Sequence, residues 1–241
     1  THYSAVEKLA VVCGAGNNAG DGYLVAKLAK QDGYHIQVIS VINPNRLSAD
    51  AKLAKDDFIQ SGGKISSNLD LINEPYDLIV DAILGTGVNR DVEDDFLTAI
   101  NLINQQSAPV FSLDIPSGLN ADTGCVMGAA IHASHSLSFI VHKQGMHTGL
   151  AADYIGSLLF SDLDVLPEII EQTESENHLI TKLSLVKRNK SAHKGHFGHS
   201  LLVGGDYQYA GAIQLAAQAA LNSGSGLVSV ATRSQHAQNM H

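Results

Sequence analysis

The stretch Val11-Val12-Cys13-Gly14-Ala15-Gly16-Asn17-Asn18-Ala19-Gly20-Asp21-Gly22 is an apolar run that breaks into a glycine-rich loop ahead of a helical pattern. A strand feeding such a loop and then a helix makes an anion site. The glycines let the backbone come close, and the helix N-terminus offers unpaired N–H groups at the positive end of its dipole. By its glycines alone the loop reads G-x-G-x-x-A, an accepted but weak form of the dinucleotide fingerprint. Its polar residues are more specific. Asn17, Asn18 and Asp21 supply amide and carboxylate oxygens, so the loop is expected to hold an ion as well as a phosphate.

Outward from this loop, short β-rich runs alternate with helical ones. Residues 9–13, 36–42, 78–84 and 110–114 read as strands, and 135–140 and 156–160 as later ones. Helices are expected at 22–31, at 48–61 with Ser48 as N-cap and Gly62-Gly63 as the stop, and at 94–105. Strands separated by helices of this length predict βαβ crossovers. The expected fold is a three-layer αβα, Rossmann-like sandwich around a mainly parallel sheet. In such a sheet ligands lie beyond the carboxyl ends of the strands. Three loops there, residues 14–22, 85–91 and 114–118, are rich in Gly, Asp, Asn or Ser. The candidate constellation is therefore Asn17, Asn18, Asp21, Asp81, the Gly85-Thr86-Gly87 turn, Asp114 and Ser117.

The periodicity fails around residues 167–182, where Glu168, Glu171, Glu174 and Glu176 gather, which reads as a linker or short surface helix. A new unit is expected over residues 183–241, starting near Leu183, with strands at 200–203 and 226–232 around a helix at 211–223. About sixty residues of this kind do not close an α/β core, so this reads as the opening of a second domain.

The totals narrow the function classes. In 241 residues the net charge is −9 with histidines neutral, and no basic cluster interleaves with aromatics, which argues against nucleic acid as partner. No apolar run approaches the roughly 18 residues that span a bilayer, so no membrane role is expected. The start, Thr1-His2-Tyr3, shows neither an initiator Met nor a secretory signal, which suggests a missing beginning. Cys13 and Cys125 lack C-x-x-C spacing and are expected to be reduced thiols in a cytoplasmic protein.

Three stretches taken together resemble the N-terminal domain of the NAD(P)H-hydrate epimerase family, also called YjeF N-terminal domains. They are residues 14–22, Asp81-Ala82-Ile83-Leu84-Gly85-Thr86-Gly87, and Asp114-Ile115-Pro116-Ser117-Gly118-Leu119-Asn120. The later run from His193-Lys194-Gly195 through Gly204-Gly205-Asp206 and Gly211-Ala212 resembles the start of the ADP-dependent NAD(P)H-hydrate dehydratase domain, which is ribokinase-like in its family. The resemblance implies an epimerase domain over residues 1–166, a linker over 167–182 and a truncated dehydratase domain over 183–241. It implies interconversion of the R and S hydrates of NADH and NADPH, coupled in complete relatives to nucleotide-dependent dehydration of the S form.

Carried over by motif, the hydrate-binding residues are Asn17, Asn18, Ala19, Gly20 and Asp21, then Gly85, Thr86, Gly87, Val88, Asn89, Arg90 and Asp91, with Asp114 and, in the second domain, Ala210. The family's potassium ion would use Asn18, Asp81 and Ser117, whose oxygens suit a hard cation. ADP or ATP would serve only a complete dehydratase half. Hydrated NADH and NADPH are the implied partners, and a homo-oligomer is expected. Inverting a hydrated carbon calls for a poised acid/base, and Asp114 at a strand's carboxyl end is the candidate.

Departures from the pattern are Ala19 in place of a second glycine and an N-terminal helix reduced to residues 1–8. The later nucleotide loop and catalytic aspartate of the dehydratase are missing, so no dehydratase activity is expected.

Other readings stand beside these. A Rossmann dehydrogenase should carry an acid at the end of its second strand, but Ser40-Val41-Ile42-Asn43-Pro44 has none. Asp114 as a cap of its own turn and Ser117 as an N-cap are alternatives to their chemical roles. Asp81, ending a buried strand, needs a cation or hydrogen bonds in either case. His193, His196 and His199, and His132 with His135, lack the spacing of zinc ligands on a helix. Lys187-Arg188 with Lys190 reads as a solvated edge. The rival function is a catalytically silent nucleotide-binding or dimerisation module, similar to the fold in eukaryotic mRNA-decapping scaffold proteins.

Overall fold

The structure is a computed structural model that describes residues 6–43, 47–173, 177–180 and 187–237. Thr1-His2-Tyr3, Pro44, Glu174, Glu176 and Leu183, on which expectations were placed, lie outside the described residues. The chain divides into two compact units, Thr1–His178 and Leu179–His241.

The first unit begins with β1 (Lys8–Cys13), α1 (Asn17–Gln31), β2 (His35–Ser40), α2 (Ala49–Gln60) and the two-residue β3 (Ile65–Ser66). It continues through β4 (Leu78–Ala82), α3 (Asp94–Asn104), β5 (Val110–Leu113), β6 (His135–Phe139), β7 (Ser157–Ser161) and the short α4 (Pro167–Glu171). The seven strands form one sheet in the order β3-β2-β1-β4-β5-β6-β7, with every neighbouring pair parallel. The order reverses between β1 and β4, which is where a doubly wound sheet opens its ligand crevice.

β1 is buried on both faces and reads as a continuous apolar run for that reason. Ala10 and Val12 join Ile39, Ile79 and the α3 residues Ala99, Ile100 and Ile103 in one core cluster. Leu9, Val11 and Cys13 join Ala19, Tyr23 and Ala26 of α1 and Phe58 of α2 in another. The period-2 alternation of the strand thus feeds two layers of helix, giving the αβα sandwich. A smaller cluster of Ile115, Leu119, Ala121, Ala130, Met146 and Ala151 lies under the loops that follow β5 and β6.

Two differences from the sequence reading bear on the site. Helix α1 starts at Asn17, not Gly22, so Asn17 to Asp21 form its first turns rather than a loop. The reason is that Gly16 takes the extended N-cap conformation, and no residue after it demands a non-helical backbone. Ser48 does precede α2 but gives no side-chain cap; its hydroxyl donates to Asn17 Oδ1 at 2.9 Å.

The second unit has a parallel pair, β8 (His199–Val203) and β9 (Leu227–Ala231), joined by α5 (Ala210–Asn222) and followed by α6 (Ser234–Ala237). Among its described residues Ile213 is the only buried apolar side chain, while Leu201, Val203, Leu215 and Leu221 are exposed. It has the form of one βαβ step of a larger sheet.

Candidate functional site

Close packing at two glycines creates the crevice. A Cβ on Gly14 would fall 1.9 Å from the Ile83 carbonyl oxygen, so the turn after β1 lies directly on the end of β4. A Cβ on Gly22 would fall 2.5 Å from Ala82 Cβ and 2.9 Å from Cys13 Sγ, so only glycine lets α1 settle on β1 and β4. The N-terminus of α1, without a side-chain cap, is thereby held over the carboxyl edge of the sheet. Gly16, Asn17 and Asn18 at this helix start line a cleft of about 920 Å³.

Asn17, Asn18 and Asp21, then Gly85, Thr86, Gly87, Val88, Asn89, Arg90 and Asp91, and finally Asp114 all line this cleft. Asn120 Nδ2 donates to the Val88 carbonyl at 2.9 Å and ties the 85–91 loop down. Ala19 and Gly20 do not line it. The helical period points Ala19 into the core and puts Gly20 against α2, where a Cβ would meet Ala51 Cα at 3.1 Å. Ala210 opens α5 in the second unit.

Asp81 and Ser117 lie beneath the floor, both fully buried. Asp81 Oδ2 accepts from Ser112 Oγ at 2.8 Å and Ser117 N at 2.9 Å; Oδ1 accepts from Ser117 Oγ at 2.5 Å and Ile83 N at 3.2 Å. Burial pushes the Asp81 carboxyl above the usual range, and these four donors pull the other way. Ser117 Oγ also accepts from Leu84 N at 2.8 Å and sits 3.1 Å from the Leu84 carbonyl, to which Asn18 Nδ2 donates at 2.9 Å. Asn18 Oδ1 is buried with no hydrogen-bond partner.

That orphaned oxygen is the test of whether a cation suits the site. Asn18 Oδ1, the Leu84 carbonyl and Ser117 Oγ are neutral hard donors beside a buried anion, a set that fits a monovalent hard ion. Asp81 has all four acceptor directions in use. For it to touch an ion one donor must turn away, and the Ser117 hydroxyl is free to do so by donating to Leu84 instead. Among the described residues no cluster of three or more His, Cys, Asp or Glu offers a metal site. His199, one of the spaced histidines, pairs its Nε2 with Ser229 Oγ at 2.8 Å.

Several residues of the site escaped the sequence reading, among them the cleft-lining Glu93 and Asp94. Ser112, within the apolar run of β5, belongs to no local motif. Lys143, in the loop after β6, places its Nζ on Asp114 Oδ1. The strand-end rule that found the other loops applies to this one as well, and it is the signal that could have found Lys143. Across the cleft, burial and then the charge of Asp114 push the Asp21 carboxyl above its ordinary value. Among the described residues, five carboxylates (Asp21, Asp91, Glu93, Asp94, Asp114) and one cation, Arg90, line the cleft.

Residues 1–145 match the YjeF-related protein N-terminus family. The chain belongs to that family. Beyond this YjeF-related region, residues 200–241 match the NAD(P)H-hydrate dehydratase family. Curated relatives of the YjeF-related chain include the bifunctional NAD(P)H-hydrate repair enzyme of Escherichia coli, 40% identical over 94% of this chain and 44% of that protein. The enzyme of the same description from Coxiella burnetii is 36% identical over 95% of this chain and 48% of its own length. The chain thus spans less than half the length of these relatives. A crystal structure of the yeast protein YNL200c shares the YjeF-related fold with TM-score 0.59, covering 73% of this chain and 77% of that one at 21% identity. No described helix is long and apolar enough to cross a membrane.

Proposed function

We propose that the first unit is an NAD(P)H-hydrate epimerase that interconverts the R and S hydrates of NADH and NADPH. We place the epimerase domain at residues 1–166, a linker at 167–182 and the opening of an ADP-dependent dehydratase domain at 183–241. The observation that carries this reading is the meeting of Asp114 with Asn17, Asn18, Asp21 and the 85–91 loop around one cleft, in a chain of this family. The α1 N-terminus and Arg90 bind phosphate, and the 85–91 loop and Asp21 enclose the hydrated ring. Asp114 is the acid/base. Whichever ring bond opens, its carboxylate takes up one proton and returns one, and so ends the cycle as it began.

Asn18, Ser117 and Asp81 hold potassium, which supplies fixed positive charge beneath the cleft floor. Asn18 at the same time stays hydrogen-bonded to Leu84 and keeps the start of the 85–91 loop in place. Ala210 belongs to the hydrate site of a complete dehydratase domain, which would also use ADP or ATP. We further propose that the protein acts in the cytoplasm, as a homo-oligomer, without nucleic-acid or membrane partners.

The test is epimerisation of purified R-NADPHX, followed by chromatography, with potassium and then with sodium in its place. Enrichment of the S form far above the spontaneous rate is expected, and potassium is expected to raise it. Ser117→Ala should flatten the potassium response. A spontaneous rate from folded protein would instead favour the silent nucleotide-binding module.

A further inference from the structure

We propose that Lys143 is the positioning residue of this centre: it grips one oxygen of Asp114 so that the other alone is presented to the cleft. The proposal rests on the epimerase reading above. Lys143 Nζ is held by three acceptors, the Phe139 carbonyl at 2.8 Å, Ser138 Oγ at 3.4 Å and Asp114 Oδ1. The side chains are 12% and 18% exposed respectively, so this is not a solvated surface pair. Lys143 does not line the cleft, whereas Asp114 does. The free oxygen of Asp114 lies over the 85–91 loop, where a Cβ on Gly85 would come 3.5 Å from Oδ2.

The backbone on both sides of the pair turns through the left-handed region, which an aspartate tolerates and an isoleucine does not. Asp114, the residue after β5, has φ 66°, and Ile140, the residue after β6, has φ 65°. A β-branched residue rarely adopts this left-handed region. Strain of this kind persists where the surroundings over-determine it, and it gathers at functional sites. The two strands are neighbours in register, with Leu113 opposite Leu137, and Asp114 N donates to the Leu137 carbonyl at 2.8 Å. At the turn, Ile140 N donates to the Ser161 carbonyl at 2.8 Å and Val141 N to the Phe139 carbonyl at 2.7 Å. This tight turn brings Lys143 back onto the end of its own strand. An aspartate carboxyl turns easily about its last bond, so one fixed oxygen sets the plane and aim of the other.

The test uses the whole chain with R-NADPHX in potassium. Lys143→Met, Lys143→Arg, Asp114→Asn and the Lys143→Met/Asp114→Asn pair are compared with wild type. Lys143→Met is expected to lower kcat about 100-fold, the cost of a misaimed group, with KM within about twofold. Lys143→Arg is expected to recover about tenfold of that loss, and the double variant to be no slower than Asp114→Asn alone. A raised KM at unchanged kcat overturns the proposal, as does a Lys143→Met loss that repeats in full in the Asp114→Asn background.

A second readout needs neither turnover nor a folded Lys143→Met protein. The ¹⁵N spectrum of the lysine ammonium groups should show a slowly exchanging signal in wild type that shifts in Asp114→Asn, while that of the buried Lys55 stays in place. Absence of the shifting signal overturns the anchor. A wild-type chain with no turnover sinks the epimerase reading, and this spectrum then decides the anchor alone.

Discussion

Three aspartates at the carboxyl edge of the sheet share one side chain and have three different surroundings. Asp81 is buried among four hydrogen-bond donors, Asp114 is bound to a lysine, and Asp21 is partnered by neither in its part of the cleft. Asp21 is exposed to solvent at the cleft, so its raised pKa carries a modest, solvent-screened stability cost. Its folded-state pKa is raised, so the folded form holds its proton more tightly than the unfolded one. Its contribution to stability is therefore full below the ordinary carboxylate value and is lost as pH rises through the raised value. Asp21→Asn should raise Tm at pH 7 and give little gain near pH 4, about the ordinary carboxylate value, while slowing epimerisation. Thermal melts at the two pH values check this, and an equal gain at both would mean the effect is not titration of Asp21.

At the scale of the element, α1 carries both the site and its own attachment. Asn17, Asn18 and Asp21 reach the cleft, and Ala19, Tyr23 and Ala26 enter the core. One helix separates these sets by its 3.6-residue period. Gly22 sits where helix and sheet come closest, and helix propensity alone would favour alanine there by about 1 kcal/mol. Packing reverses that preference, because the added methyl would press on Ala82 and Cys13 at 2.5 and 2.9 Å. Gly22→Ala is expected to cost about 1–2 kcal/mol net, lowering Tm by about 2–8 °C. Gly87→Ala, where a Cβ meets nothing within 4 Å, should leave Tm nearly unchanged. Calorimetry of the two variants separates crowding from glycine loss, and a Gly22→Ala protein that melts higher would refute the crowding account.

Across the whole molecule, the parallel order places all the site loops on one edge and leaves the two units unequal in core. The first has three apolar clusters; the described part of the second has Ile213. Burial of apolar area is the main stabilising term, so the two should differ widely in resistance to opening. Brief trypsin treatment under native conditions should cut first at the exposed Lys187, Arg188, Lys190 or Lys194 and leave a lasting fragment that contains the first unit. Mass spectrometry of the fragments checks this. Early cuts within residues 8–160 would show that the first unit is not the more stable one.

The sequence by itself determined the architecture and most of the cleft. The apolar run of β1, the strand-helix alternation and the polar loops after residues 13, 84 and 113 are local signals, written in neighbouring residues. The rule that parallel strands open their ligand site at their carboxyl ends then brought Asn17, Asp21, Gly85 and Asp114 together without coordinates. Only the tertiary structure decided what depends on contacts between distant residues. Asn18 keeps one amide oxygen unpartnered because Leu84, 66 positions away, takes its other end. Asp81 is satisfied by donors 31 and 36 residues on. Lys143 reaches Asp114, 29 residues away, because β5 and β6 lie side by side. Ala19 and Gly20 share a motif with Asn18 but turn away from the cleft, because the helix begins earlier than its glycines suggest. A motif fixes which residues are near one another in the chain; the direction each side chain takes, and what it meets there, follows from how the strands and helices pack.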